Sequence, residues 1–531
     1  MNLVQLRIGG FMADRRLGSI GASSARISRA QRARFAALAA LAAGVLVLSG
    51  CAPAVDDSEN ALQAETFPGV YAQTIEWGEC DLSEIEDGAA KRLEEKGAPL
   101  DEYQCAAVEA PLDWNDPRNH ETIELSVNQR AATGDGEPLG TLFVNPGGPG
   151  ASGVDLAYRL SIMPGAERVT ERYAVVGFDP RGIGRSSRID CPGFSDVAEL
   201  EIALCADANP LAHSMGTSQV ARDMELLRTL LGDDSLHYLG YSYGTVLGAT
   251  YATLFPERVG RLVLDSAISA NWGAPVNRFK QQAAIARETV ALLSGCATEY
   301  GRSDCPIESE EQLQQAIDRL DETPLVASTG DELDGGVLLE FLTASLYGIP
   351  EGRELALDRL ASAMRGEQQG IDEILESMAS GGAAVGIEGS IVSCHSFPDD
   401  PDLVGFLEYV EEAGLPEMLG GPEIDDEALL PWIDLSCDAL PESGDDITDS
   451  FSGSPDAPIL VIGVLGDHAT PYEGSEQLVR ELGNARLLTL DGHGHGASYL
   501  GRSSCVNDAT TAYLLEGELP EPGAVCESDA G

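Results

Sequence analysis

Leu236-His237-Tyr238-Leu239-Gly240-Tyr241-Ser242-Tyr243-Gly244-Thr245, running on as Val246-Leu247-Gly248-Ala249-Thr250-Tyr251-Ala252-Thr253-Leu254, decides how the rest of the chain is read. Leu236–Leu239 is short and apolar, the texture of a buried strand. Thr245–Leu254 is apolar and long enough for a helix running straight on. Gly-x-Ser-x-Gly is common by chance, but a strand before it and a helix behind it force the serine onto a sharp turn that exposes its hydroxyl. Gly240 and Gly244 let strand and helix approach where any Cβ would clash. The helix N-terminus beneath Ser242 favours developing negative charge. Ser242 is the candidate nucleophile.

A serine attacking a carbonyl needs a base, and the base needs a group to orient it. Around an elbow of this kind the chain order is Ser, then acid, then His, with acid and His on loops after the last two core strands. Of the seven His, His495 follows the strand pattern Arg486–Leu490 in Asp491-Gly492-His493-Gly494-His495-Gly496. His493 is the competing base, and the spacing favours His495. Asp467 follows the strand pattern Pro458–Val464, and the 28 residues from it to His495 accommodate one helix and one strand. Asp265 also ends a core strand and is the rival acid. The oxyanion needs preorganised N–H donors. Asn145-Pro146-Gly147-Gly148-Pro149-Gly150 follows another strand pattern, so the backbone N–H groups of Gly148 and Tyr243 are the expected donors. A phosphate loop is the weaker reading, because neither Gly-Lys-Ser/Thr nor G-x-G-x-x-G is present.

Outward from the elbow, strand patterns at Ile123–Asn128, Gly140–Asn145, Tyr173–Asp179 and Arg261–Asp265 alternate with helical ones such as Gln219–Leu231. That alternation specifies an α/β architecture with a largely parallel sheet. After Ser266 the pattern turns helical (Arg278–Leu293, Glu311–Leu320, Arg353–Met364, Gly370–Met378), and strands resume only at Pro458. The expected organisation is a core divided into 67–274 and 446–531, with a helical cap over 275–445.

Pro146-Gly147-Gly148-Pro149-Gly150-Ala151-Ser152-Gly153, Asp179-Pro180-Arg181-Gly182, Gly240–Thr245 and Asp467-His468-Ala469-Thr470-Pro471 together resemble one family. It is the secreted tripeptidyl aminopeptidases of actinobacteria and their mycobacterial cell-envelope relatives, in the prolyl-aminopeptidase group of α/β-hydrolases. The resemblance spans about residues 67–515. It implies an α/β-hydrolase fold, a mostly parallel sheet flanked by helices with an inserted helical cap. It also implies Ser242, Asp467 and His495 as nucleophile, acid and base. The expected partners are peptides with a free N-terminus, and no cofactor or metal is implied. Two positions depart from the pattern: Asn145 stands where prolyl aminopeptidases proper have His, and His468 where the family usually has Pro. Because relatives also cleave simple esters, a carboxylesterase or lipase is the second enzymatic reading. A catalytically dead, surface-binding protein is the non-enzymatic one.

Composition places this chemistry outside the cytoplasm. Arg26, Arg29, Arg32 and Arg34 precede an apolar run, Phe35–Leu48, that is the length of a signal-peptide core. Leu48-Ser49-Gly50-Cys51 resembles a lipobox, so 1–50 reads as a lipoprotein signal peptide and Cys51 as the lipidated residue. Residues 51–66, small and acidic, read as a tether. The remaining ten Cys are an even number, as for five disulfides in an exported protein. Spacing does not settle connectivity; pairing of sequence neighbours, which closes the shortest loops, is expected. A net charge of −54, from 33 basic and 87 acidic side chains, repels phosphate backbones and argues against nucleic-acid binding. The expected location is the extracellular face of the cell membrane.

Overall fold

Apolar runs become strands here where helices cover both faces of a sheet. The computed structural model describes residues 59–85, 89–191, 193, 198–381, 386–397 and 450–529, with 406, 409, 410, 437, 440 and 446. The signal peptide, Cys51 and most of the tether lie outside the described residues. Three strands come first: β1 (Gly78–Glu79), β2 (Gln104–Pro111) and β3 (Thr122–Arg130). Four follow before the chain leaves for the cap: β4 (Thr141–Asn145), β5 (Ala174–Phe178), β6 (Leu236–Tyr241) and β7 (Val259–Asp265). A short antiparallel hairpin, β8 (Leu325–Val326) and β9 (Glu332–Leu333), lies within the helical region. The sheet resumes with β10 (Ile459–Gly466), β11 (Ala485–His493) and β12 (Val525–Glu527).

The ten-stranded sheet runs β1-β2-β3-β5-β4-β6-β7-β10-β11-β12. From β5 to β12 every pairing is parallel, and β1, β2 and β3 join antiparallel at one edge. Successive residues of one strand pack on opposite faces. Phe143, Val176, Tyr238, Leu262, Leu264 and Val461 meet the helices Thr217–Leu231 and Tyr243–Leu254 on one face. Leu142, Val144, Val175, Leu239, Val263, Leu460 and Ile462 meet Gly153–Leu160 and Ser504–Glu516 on the other. The α/β-hydrolase architecture expected from the sequence is present.

Strand β2, next to the short edge strand β1, escaped the sequence reading. It buries Val108 and Ala110 but exposes Glu109, so it lacks the continuous apolar run of the central strands. The tether reading is corrected at its distal end. Glu59–Thr66 is helical, and Gln63 is buried with its amide donating to Tyr71 Oη (2.7 Å) and to the Arg222 carbonyl (3.0 Å). One anchoring glutamine outweighs the acidic, aperiodic composition that pointed to free chain.

Helices Pro275–Ser294, Glu310–Glu322, Gly335–Ser345, Pro350–Met364 and Gln368–Gly381 pack around their own apolar cluster, which includes Leu293, Leu313, Phe341, Leu360 and Ile374. The helix Ile387–Ser396 falls within the expected cap range but packs differently. Its Ile391, Val392 and Cys394 join the core cluster, and its Ser396 Oγ accepts from Thr217 N (3.1 Å). Disulfides join Cys80–Cys105, Cys191–Cys205, Cys296–Cys305, Cys394–Cys437 and Cys505–Cys526, the sequence-neighbour pairing expected. Among the described residues, no helix is long and apolar enough to cross a membrane.

Candidate active site

Parallel strands end at one edge of the sheet, so the loops after β4, β6, β7, β10 and β11 gather there. Ser242, between β6 and the helix Tyr243–Leu254, has φ 56° and ψ −126°. A non-glycine residue at positive φ is strained and needs surrounding contacts to hold it. One is the hydrogen bond from Ser242 N to the Asp265 carbonyl (2.9 Å). The glycine loop supplies another constraint. Gly147 has φ +91°, and a Cβ there would lie 2.4 Å from the Tyr241 carbonyl oxygen and 2.9 Å from Tyr243 N. Only glycine lets this loop touch the elbow.

The same loop is fixed from two sides. Asn145 Oδ1 accepts from Gly147 N (2.9 Å). Asp179 Oδ1 accepts from Ser152 Oγ (2.6 Å) and Val154 N (3.2 Å), while its Oδ2 takes Arg185 N (2.8 Å). Nearby Arg181 is fully buried, paired with Asp223 through Nε (2.8 Å) and Nη2 (2.6 Å), and donates to the carbonyls of Pro111, Leu112 and Ser214. Breaking one side of such a pair costs about 3–5 kcal/mol. Asp179-Pro180-Arg181-Gly182 is therefore a brace, and Gly182 and the following Ile183 line the cavity at Ser242.

His495 presents Nδ1 to both carboxylate oxygens of Asp467, at 3.0 Å each. Asp467 is fully buried. Its Oδ1 accepts from Ala469 N and Thr470 N (2.9 Å each), and its Oδ2 from Thr470 Oγ1 (3.0 Å). Burial raises this carboxyl's pKa, but the facing His495 ring and the Thr470 N–H outweigh burial and hold it below the usual carboxylate range.

Asp265 does something else. Its buried carboxylate accepts from Ala497 N (3.1 and 3.2 Å) and Ser498 N (2.7 Å), and burial raises its pKa. Ser266 Oγ accepts from Gly496 N (2.8 Å). Together they hold the backbone of the loop that carries His495. His493 turns toward the cap: its Nδ1 meets Glu288 Oε2 at 2.6 Å, a contact that raises its pKa.

A cavity of about 850 Å³ joins these pieces. Ser242, His495, Gly148, Pro149, Gly150 and Ala151 line it from the core, Tyr347 from the cap, and Glu388 from the helix packed against the core. Arg159 and Arg188 also face it. Tyr347 stands edge-on to His495, with ring centroids 5.7 Å apart, and to His468 at 4.4 Å. His468 is fully buried, and neither ring nitrogen has a hydrogen-bond partner among the described residues. Burial pushes its pKa down to about 3, so the ring is neutral. An unpartnered buried polar group costs about 1–3 kcal/mol, which a proline at this position would avoid.

A family model described as TAP-like protein matches residues 428–526, and one described as alpha/beta hydrolase fold matches 140–296. The chain is 30% identical to Serine protease Hip1 of Mycobacterium tuberculosis over 91% of its own length and 96% of that protein's. It belongs to the TAP-like α/β-hydrolases. Tripeptidyl aminopeptidase of Streptomyces lividans is 26% identical over 80% of this chain and 84% of its own. Carboxylesterase B of M. tuberculosis is 27% identical over 80% and 86%.

Its likeness to these peptidases, on an α/β-hydrolase fold, makes this chain a serine hydrolase of the peptidase kind. The sequence reading assigned no role to Thr470, Ser266, Tyr347 or Glu388. Thr470 lies in a quoted motif, so a hydroxyl three residues past a candidate acid was an available signal. The other three reach the site only through chain crossing from β7, the cap and the helix Ile387–Ser396, and no local pattern marks them.

Proposed function

We propose that this hydrolase is a membrane-anchored exopeptidase that releases short peptides, tripeptides above all, from free N-termini. The observation that carries the reading is the Asp467–His495 pair opening onto the cavity that also holds Ser242. With Nδ1–H held by Asp467, His495 keeps Nε2 free to take the Ser242 proton as the hydroxyl attacks the carbonyl. The N–H groups of Gly148 and Tyr243 receive the oxyanion. His495 then protonates the leaving amine, and water, activated by the same ring, releases the acyl group. Tyr347 and Glu388 bound the cavity, which supports a short acyl segment over an endopeptidase cleft. The Glu388 carboxylate is a counter-charge for a substrate ammonium.

The test uses a tripeptidyl chromogenic anilide with its amine free or acetylated. At least a hundredfold preference in kcat/KM for the free amine is expected; equal turnover would overturn the exopeptidase reading. The likeness to Carboxylesterase B favours the second reading, an esterase, and acyl-ester turnover without any anilide cleavage would establish it instead. Anchoring rests on the Cys51 lipobox. Cys51→Ala should move the protein from the membrane fraction to the medium, and unchanged membrane retention would remove lipidation from the proposal.

A further inference from the structure

Arg159 lines two cavities. Besides the one at Ser242 it borders a second, of about 580 Å³, whose apolar lining includes Leu93, Met163 and Leu500, with Ile349 contributed from the cap. Arg92 and Lys96 open onto the same space. Three cations therefore converge on one apolar cleft in a chain whose net charge is −54. The one carboxylate in the lining, Asp155, is already paired with Arg185 at 2.9 Å. Among the described residues neither Arg92, Lys96 nor Arg159 has an ion-pair partner, and Arg159 Nε donates only to the Asp155 carbonyl (3.3 Å).

The second cavity lies on the His495 side of the site. A Cβ at Gly496, one residue past His495, would sit 2.5 Å from Leu500 Cδ1, so Leu500 is packed against the loop that carries the base. Tyr499, also in the lining, is held at φ 59° with its N–H on Asn507 Oδ1 (2.6 Å), which sets Leu500 in place. The amine that departs in acyl transfer takes its proton from the histidine, so the departing segment leaves past that ring.

We propose that this cleft binds the segment of peptide on the C-terminal side of the scissile bond. It would select an apolar residue together with carboxylates, including the chain's own terminus. Apolar contact seats one side chain; Arg159, where the two cavities meet, and Arg92 and Lys96 attract the acidic groups. The inference rests on the peptidase reading above.

The experiment uses the full chain and peptides sharing one N-terminal tripeptide, followed by Leu and then either three Glu or three Lys. The readout is the ratio of kcat/KM for the two, so each enzyme is its own control. The wild type is expected to favour the acidic segment roughly fivefold to tenfold, the size two or three partly exposed ion pairs supply. The preference should collapse in 1 M salt, where the screening length is about 3 Å. It should fall to about one or invert in Arg92→Glu/Lys96→Glu, both exposed positions. A wild-type ratio near one, or a preference that survives charge reversal, overturns the proposal while anilide cleavage leaves the peptidase reading standing. Loss of both anilide and peptide cleavage, with ester turnover intact, overturns the peptidase reading and the proposal with it. A ratio near one combined with oleate inhibition that charge reversal abolishes would make the occupant a fatty-acid anion, which also overturns it.

Discussion

Ser242→Ala is expected to lower kcat on a tripeptidyl anilide about a million-fold and to abolish labelling by a fluorophosphonate. Removing the nucleophile of a serine triad costs roughly this much, and the residual rate comes from the remaining binding and oxyanion groups. The elbow should survive the change. Ser242 is held by its backbone N–H on the Asp265 carbonyl and by the close approach of Gly147, neither of which uses the hydroxyl. KM should therefore change far less than kcat, and intact mass after labelling should show one adduct on the wild type and none on the variant. An adduct persisting on the variant would place the reactive serine elsewhere.

What was legible in the sequence follows from how each element is covered. β4, β6, β7 and β10 are central, apolar on both faces and bounded by glycine or charge, so their texture alone marks them. β2 and the two-residue β1 lie at the antiparallel edge, where half the side chains meet water and the signal thins. The helix Tyr243–Leu254 was readable to within two residues because the elbow dictates where it starts. Glu59–Thr66 was not, since its order comes from Gln63 reaching chain more than 150 residues away.

The site divides in the same way. The Ser242, Asp467 and His495 sequence positions follow from chain order in this topology. The function of Asp265 does not, because its partners are the backbone N–H groups of Ala497 and Ser498, which leave no side-chain trace in sequence. Both aspartates end neighbouring parallel strands: Ile462 of β10 pairs with Asp265 of β7. Position along the sheet alone leaves the two in competition, and three-dimensional hydrogen bonding separates them.

Asp467→Asn turns that separation into a measurement, with kcat expected to fall about 10⁴-fold, the scale of a triad histidine held in the wrong tautomer. The hydrogen-bond pattern dictates how the amide sits. Two backbone N–H groups, of Ala469 and Thr470, converge on Oδ1, and only an oxygen can accept them. The amide nitrogen must then take the Oδ2 position, facing Thr470 Oγ1 and His495 Nδ1. Oδ1 also lies 3.0 Å from Nδ1 but is already taken by two backbone donors, so the amide nitrogen donates to Nδ1, moves the ring proton to Nε2, and leaves His495 unable to take the Ser242 proton. Fluorophosphonate labelling should slow with kcat, while thermal stability stays close to the wild type because Oδ1 keeps both backbone donors. Asp265→Asn should behave in the opposite way. Oδ2 accepts from both Ala497 N and Ser498 N, so the amide oxygen takes that position and the amide nitrogen faces Ala497 N at 3.1 Å, a donor–donor contact worth about 1–3 kcal/mol of stability. The His495 ring keeps its Asp467 partner, so kcat should fall by tens-fold through loop displacement and not by 10⁴. If Asp265→Asn proves the more damaging of the two to kcat, with stability unchanged, the assignment of the acid is reversed.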